Sequence, residues 1–325
     1  MQKLRKILSS NYEFLLSIIL LVGILLVCIA PDKYINSTFA GFVVWAKIVL
    51  PSLFVFFILT KLFVEIRSSQ RLFAPMDKLF FKVYNINGYG GYIFAMSIIA
   101  GYPIGAKITS ELCQNGFIKK DEAKKIISFA STSGPMFIVG SVATKMFNNN
   151  LLGLTIMLSH VVATLINGLI YTRRKDISDT KTTLILPKRT SYSLNDIMYN
   201  SIISILMVGG YIALCFACVE MLGSIILPIK HLLPSSNFVS TIGCVLKGII
   251  EVTTGCISLT TLSIDTKLLC VILTGIITFG GLSIHMQSQL FLNKIGIKYK
   301  YFLLTKFTQT IISIIVSTIL AFILL

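Results

Sequence analysis

Along most of this 325-residue chain, apolar positions come in long unbroken runs. They show neither the alternation of a half-buried strand nor the three-and-four spacing of a helix with one wet face. The first run covers residues 14–30. Pro31-Asp32-Lys33-Tyr34 follows it, with no small-residue cleavage pattern, so it is expected to remain as a helix. Others cover 38–63, with Pro51 inside, then 151–171, 197–227 and 301–325. Each approaches or exceeds the ~20 residues that carry a helix across ~30 Å of hydrocarbon. One segment differs. Between residues 65 and 87, Leu72, Phe73, Met76, Leu79, Phe80 and Val83 recur at helical spacing among Arg71, Lys78 and Lys82. That pattern predicts an amphipathic helix on the inner surface, ended by Gly88, Gly90 and Gly91.

Four more stretches are apolar but interrupted. In 90–115, Gly101-Tyr102-Pro103 divides two arms; each reaches ~15 Å as a helix, only to the bilayer midplane. A re-entrant hairpin opening to the cytoplasm is expected. Segment 241–262, centred on Glu251-Val252-Thr253-Thr254-Gly255, predicts a second. Segment 123–147 reads as a span broken at Thr132-Ser133-Gly134-Pro135, and 268–292 as one broken at Gly280-Gly281-Leu282-Ser283. Inside a bilayer every backbone N–H and C=O needs a partner, so breaks at this depth survive where protein or a cavity supplies one. They point to a built site.

The fold class expected is an all-α polytopic membrane protein. Residues 1–37 form an extra N-terminal helix, 38–172 a first repeat, 173–195 a basic cytoplasmic loop and 196–325 a second repeat. Each repeat reads span, hairpin, broken span, span. Three crossings per repeat make the two inverted, the sequence signature of secondary transporters with a midplane site. Seven crossings are expected, with the N-terminus inside and the C-terminus outside.

Composition agrees. The chain is 55% hydrophobic and 13% charged, with mean hydropathy +0.84, against ~25% charged for a soluble domain. The net charge of +16 does not indicate nucleic acid. The basic residues fall in the loops expected inside, such as Lys119, Lys120, Lys124, Lys125, Arg173, Arg174 and Lys175, while Lys33, Lys230 and Lys267 fall outside. This is the positive-inside asymmetry. The seven cysteines lie almost entirely in apolar runs. Cys215-x-x-Cys218 has no second such pair and no nearby His, so the cysteines read as small packing residues. No metal or cofactor is expected; a coupling Na⁺ or H⁺ is left open, as is the oligomeric state.

The candidate substrate contacts sit at the breaks: Gly101, Tyr102, Pro103, Gly105 and Lys107; Thr132, Ser133, Gly134 and Pro135; Glu251, Thr253 and Thr254; Gly280, Gly281, Ser283, His285 and Gln287. Ser133 suits an N-cap and Pro135 a first helical turn. The free N–H groups of a restarting helix favour an anion. Lys107 is expected either to attract that anion or to snorkel to the inner surface. Lys247 and Glu251, four apart, predict either an ion pair or a coupling-ion role for the acid. His285 suits a proton relay or a helix-to-helix hydrogen bond. His160 and Glu220 read as structural. Ser133, His285 and Glu251 form no triad with a recognisable motif, so an enzyme is not expected.

GYPIGAK at 101–107, STSGPMFIVGSV at 131–142, IIEVTTG at 249–255 and FGGLSIHMQSQ at 279–289 together resemble the sporulation integral membrane proteins of the YlbJ (SpoVV) type. These belong to the nucleoside-recognition, or Gate-domain, family. The resemblance runs over about residues 40–325. It implies a fold similar to concentrative nucleoside transporters, a role in sporulation, and transport of dipicolinic acid across the outer forespore (mother-cell) membrane. The alternatives it leaves open are transport of a nucleoside or another small solute, and a non-transport scaffold for cortex formation.

Overall fold

The structure is a computed structural model, described here for residues 2–65, 72–86, 89–172, 193–230 and 237–325. Arg71, Gly88 and most of the central basic loop lie outside the described residues. Every regular element among them is helical. The chain begins with α1 (Gln2–Ile29), then α2 (Pro31–Val44), a π turn (Trp45–Val49) and α3 (Leu50–Glu65). Next come α4 (Ala74–Tyr84), α5 (Gly90–Ala100), α6 (Ile104–Gln114), α7 (Lys120–Ile127) and the π-helical α8 (Met136–Met146). After α9 (Asn150–Thr172) the second half holds α10 (Leu194–Lys230), α11 (Asn237–Ile250) and α12 (Val252–Leu259). It ends with α13 (Thr266–Phe279), α14 (Gly281–Leu292) and α15 (Tyr299–Leu324).

Four stretches, Asn150–Thr172, Leu194–Ser224, Thr266–Ile295 and Tyr299–Leu324, are long and apolar enough to cross a bilayer; the pair Phe14–Ile29 and Pro31–Val49, bent by 105°, makes a fifth if counted as one. The molecule is therefore an all-helical polytopic membrane protein. Three of the seven expected crossings are divided. Segment 38–63 is interrupted by the π turn, 123–147 is split between α7 and α8, and 268–292 is split at Gly280 between α13 and α14.

The long helices are built inside out relative to those of a water-soluble protein. On α15 the buried positions are Phe302, Thr305, Lys306, Gln309, Ser313, Ser317 and Ala321, while Leu304, Phe307, Ile311, Ile315, Ile319 and Phe322 are exposed. On α9, Gly153, Ser159, His160, Ala163, Thr164, Asn167 and Gly168 face inward, and Leu154, Leu158, Val162, Ile166 and Ile170 face out. Lipid tails do not drive apolar residues together, so small and polar residues make the contacts between helices. These two stripes pack on each other, and α13 packs on both.

The interrupted segments are pairs of short helices meeting at turns. In α5–α6 the chain doubles back, and a Cβ on Gly105 would lie 2.7 Å from Ser97 Oγ. In α11–α12, a Cβ on Gly255 would strike Gly248 Cα, so two glycines let the arms touch. The partners are exchanged between halves: α6 packs on α14, and α12 reaches α8.

α4 buries Asp77, Phe80 and Tyr84 and leaves Leu79, Phe81 and Val83 exposed, so the apolar positions expected on one face divide between interior and surface. Gly91 sits against the Met76–Asp77 peptide, where a Cβ would come within 2.7 Å of Asp77 N. Asp77 Oδ1 accepts the Tyr92 N–H at 3.0 Å, satisfying one of the orphan amides that open α5.

Candidate functional site

The four interruptions meet around one cavity of about 90 Å³. Gly101 and Tyr102 enter from the first hairpin tip, Ser133 and Gly134 from the first break, Glu251 and Thr253 from the second hairpin tip, and Ser283 and Gln287 from α14. Ile48 and Val49 of the π turn and Val208 and Ile212 of α10 complete the wall. Occupied small-molecule pockets run ~300–1,000 Å³, so this cavity is smaller than those. A larger space of about 720 Å³ between α11, α13 and α15 is lined almost wholly by apolar residues such as Val245, Ile276, Leu304 and Phe307. It lacks converging polar groups and reads as a lipid-facing groove.

Backbone conformation makes the tips. Gly101 has φ +73, Gly280 φ +86 and Gly281 φ +68, a region where a side chain is strained. A Cβ on Gly101 would approach Gly134 N at 2.8 Å, and one on Gly281 would meet Gly248 O at 3.0 Å. Each hairpin thus lies backbone to backbone against a break: the first on Gly134, the second on Gly281.

The rest of the sequence-derived set divides. Thr132 is buried and bonded to Ser97 at 2.7 Å. Thr254 gives its N–H (2.6 Å) and hydroxyl (2.9 Å) to Glu251 Oε2. Gly105 packs on Ala130 O, and Gly280 faces the Tyr102 ring. Pro103 lies in the first hairpin turn, Pro135 is helical directly before α8 and Gly281 opens α14; none of them lines the cavity. Lys107 also stands away from it, 6.0 Å from the Phe291 ring centroid. His285 turns to the other side of α14, with Nε2 2.8 Å from Phe279 O and Nδ1 3.1 Å from Tyr299 Oη.

Two expectations are corrected. Ser133 does not cap a helix. Its N–H is bound by His160 Nε2 at 3.0 Å, so that amide is not free for a ligand. The neighbouring Gly134 N–H makes no backbone hydrogen bond among the described residues. Lys247 and Glu251 form no ion pair; Lys33–Glu220 and Lys124–Asp121 are the ion pairs found among the described residues. Helix α11 ends between them, and the carboxylate turns forward as the N-cap of α12 while Lys247 stays exposed.

Sequence reasoning missed the polar cluster behind the cavity. Lys306 of α15 is 1% exposed. Its Nζ reaches Tyr102 Oη (2.7 Å), Ser131 O (3.0 Å) and Gln309 Oε1 (2.9 Å). Tyr102 Oη donates to Thr278 O at 3.2 Å, and Gln309 Nε2 donates to Thr164 Oγ1 at 2.7 Å. His160 Nδ1 lies 2.8 Å from Thr278 Oγ1. Since Nε2 accepts from Ser133, the ring proton sits on Nδ1 and is donated to Thr278. One cluster therefore ties the first hairpin tip, both breaks, α9 and α15 together. The signal for it was a lysine inside an apolar span, a position where ionisable groups are costly and usually have a purpose.

The sporulation integral membrane protein YlbJ of Bacillus subtilis (strain 168) is 28% identical to this chain over 309 residues, which cover 86% of the chain and 75% of YlbJ. No family model matches the chain, so a Gate-domain assignment rests on the motifs alone. No solved structure matches it.

Proposed function

We propose, from the premise that this chain is a sporulation integral membrane protein of the YlbJ type, that it is a transporter of a small anionic metabolite, dipicolinic acid, at the outer forespore membrane. The observation that carries the reading is the convergence of two hairpin tips and two helix breaks on one cavity. A scaffold has no use for interrupted backbone at this depth, whereas a transporter needs a site that opens to either side. The two halves repeat one order of elements: long helix, hairpin, broken helix, long helix. We read them as inverted repeats that alternate access by moving the hairpins against the breaks.

The cavity lies among restarting helices, and a carboxylate placed there meets unpaired amides such as that of Gly134. The test is uptake of labelled dipicolinate into liposomes by wild type and Gly134→Leu. A Cβ at 134 would stand 3.2 Å from Gly101 N and 3.3 Å from Gly101 Cα. A leucine there wedges the first hairpin away from its seat while leaving the segment apolar. Uptake is expected to vanish with insertion intact; wild-type uptake by the variant would remove this contact from the transport cycle.

A further inference from the structure

We infer that the groove between α11, α13 and α15 is a binding site for an anionic phospholipid, with one acyl chain along the groove and the headgroup on Lys300. The site stands whether or not the protein is a transporter.

The lining sets the shape of the occupant. Lys300, Leu304, Phe307 and Ile314 lie on one stripe of α15, at spacings of four, three and seven. From Lys300 to Ile314 the stripe is ~21 Å long, more than the ~15 Å of hydrocarbon in one leaflet. Val245 and Ile249 of α11 and Val271 and Gly275 of α13 face it across a space of about 720 Å³. The hydroxyl in this wall, on Thr310, already donates to Lys306 O at 2.7 Å. A polar solute finds nothing to bond along such a wall. An empty groove would forfeit the dispersion contacts of its lining, and an acyl chain restores them. Val245 and Ile249 belong to the first arm of the second hairpin, so a seated chain touches the helix that leads to Glu251.

Apolarity alone selects no lipid, because every chain in the bilayer is as apolar as Leu. Lys300 makes the choice. It is the charged residue of the groove, it is exposed, and no acidic residue lines the groove with it. Among the described residues the ion pairs are Lys33–Glu220 and Lys124–Asp121, so Lys300 is in none. Tyr299 and Tyr301 flank it, and tyrosine is enriched at the level of the headgroups. Tyr301 Oη donates to Lys124 O at 2.9 Å, which ties this end of the groove to the basic helix α7. A lysine at that level lays its stem on apolar surface and carries its ammonium to the phosphates. Anionic lipids attract it, whereas a zwitterionic headgroup brings its own cation. A second copy seated on the groove would cover this ammonium with apolar side chains, removing its water without supplying a partner.

The chain has a single tryptophan, Trp45. The full-length double variant Trp45→Phe, Phe307→Trp therefore carries its one indole in the groove wall. It is reconstituted in phosphatidylcholine vesicles that contain graded fractions of brominated phosphatidylglycerol or of brominated phosphatidylcholine, and quenching of the indole is measured. The anionic lipid is expected to bind about fivefold more tightly, the order one lysine gives at a membrane surface. In the same background Lys300→Gln is expected to abolish the preference and Lys300→Arg to keep it. Lys298→Gln, at an exposed lysine outside the groove, is expected to keep it as well. Should Lys300→Gln fail to insert, Lys300→Met takes its place. Equal quenching by the two lipids overturns the inference and makes the occupant ordinary annular lipid. A preference that survives the loss of the Lys300 charge, or that falls equally in Lys298→Gln, overturns it too, because the headgroup is then not held by Lys300. Absence of quenching by either lipid means that protein, such as a second copy of the chain, covers the groove, and that also overturns it.

Discussion

His160 and Glu251 illustrate how a buried polar side chain takes its role from what it can reach. His160 sits in mid-helix on α9, and its two nitrogens join the first break to the second through Ser133 N and Thr278 Oγ1. Replacing it by Phe leaves a buried amide and a hydroxyl unpartnered, each at a cost of about 1–3 kcal/mol. A clear fall in melting temperature of the purified protein is expected, and an unchanged value would mean that the breaks find other partners. Glu251 is both N-cap and cavity wall. Glu251→Gln keeps an oxygen for Thr254 and takes an acidic group out of the wall of the proposed anion site, so tighter dipicolinate binding by calorimetry is expected. Weaker binding with the fold preserved would assign the carboxylate a direct contact. Glu251 was legible in the sequence because it stands in a polar run inside apolar residues. Lys306 was not: it lies near the start of a long apolar run, where a lysine reads as reaching back to the surface. Burial, not position along the chain, decides between the two.

At the scale of elements, the interruptions were readable because glycine and proline act locally. The hairpin turn at Gly101 and the break at Gly280–Gly281 follow from backbone freedom at those residues. Contacts between elements were not readable. Nothing in the spacing of 133 and 160 shows that Ser133 gives its amide to a histidine, which is why an N-cap was expected. The π turn at 45–49 likewise has no local cue. Helix α4 offers a test outside the spanning segments. Burial holds the Asp77 carboxyl up at about 6, although amides of Tyr92 and Gly91 pull it down. The folded state thus prefers the protonated acid. The stability this contributes is complete below about pH 4, the ordinary carboxylate value, and is lost as pH rises through about 6. Asp77→Asn is therefore expected to melt above wild type at pH 7 and together with it near pH 4. A gap of equal size at both values would show that the ionisation of Asp77 is not the cause.

Among the described residues, the second arm of each hairpin packs on the broken helix of the other half. Such an arrangement suits a membrane only if the hairpins return to the side they came from. Helices of 11 residues are about 17 Å long, half the hydrocarbon thickness, so α5 and α6 cannot each cross. If the pair together crossed once, its turn would have to open into a straight segment, and the contact of Gly105 with the α5 arm would be lost. Asn85, before the hairpin, and Asn115, after it, are both exposed. Single cysteines at these positions, in a chain whose native cysteines have been replaced, are expected to react with an impermeant maleimide from the cytoplasmic side alone. The lysines of α7, Lys120, Lys124 and Lys125, lie just beyond Asn115 and favour that side. Labelling of the two positions from opposite sides would make the first hairpin a crossing. Every later loop would then change sides, the basic segments would face outward, and the inverted relation of the halves, with the alternating access built on it, would fail.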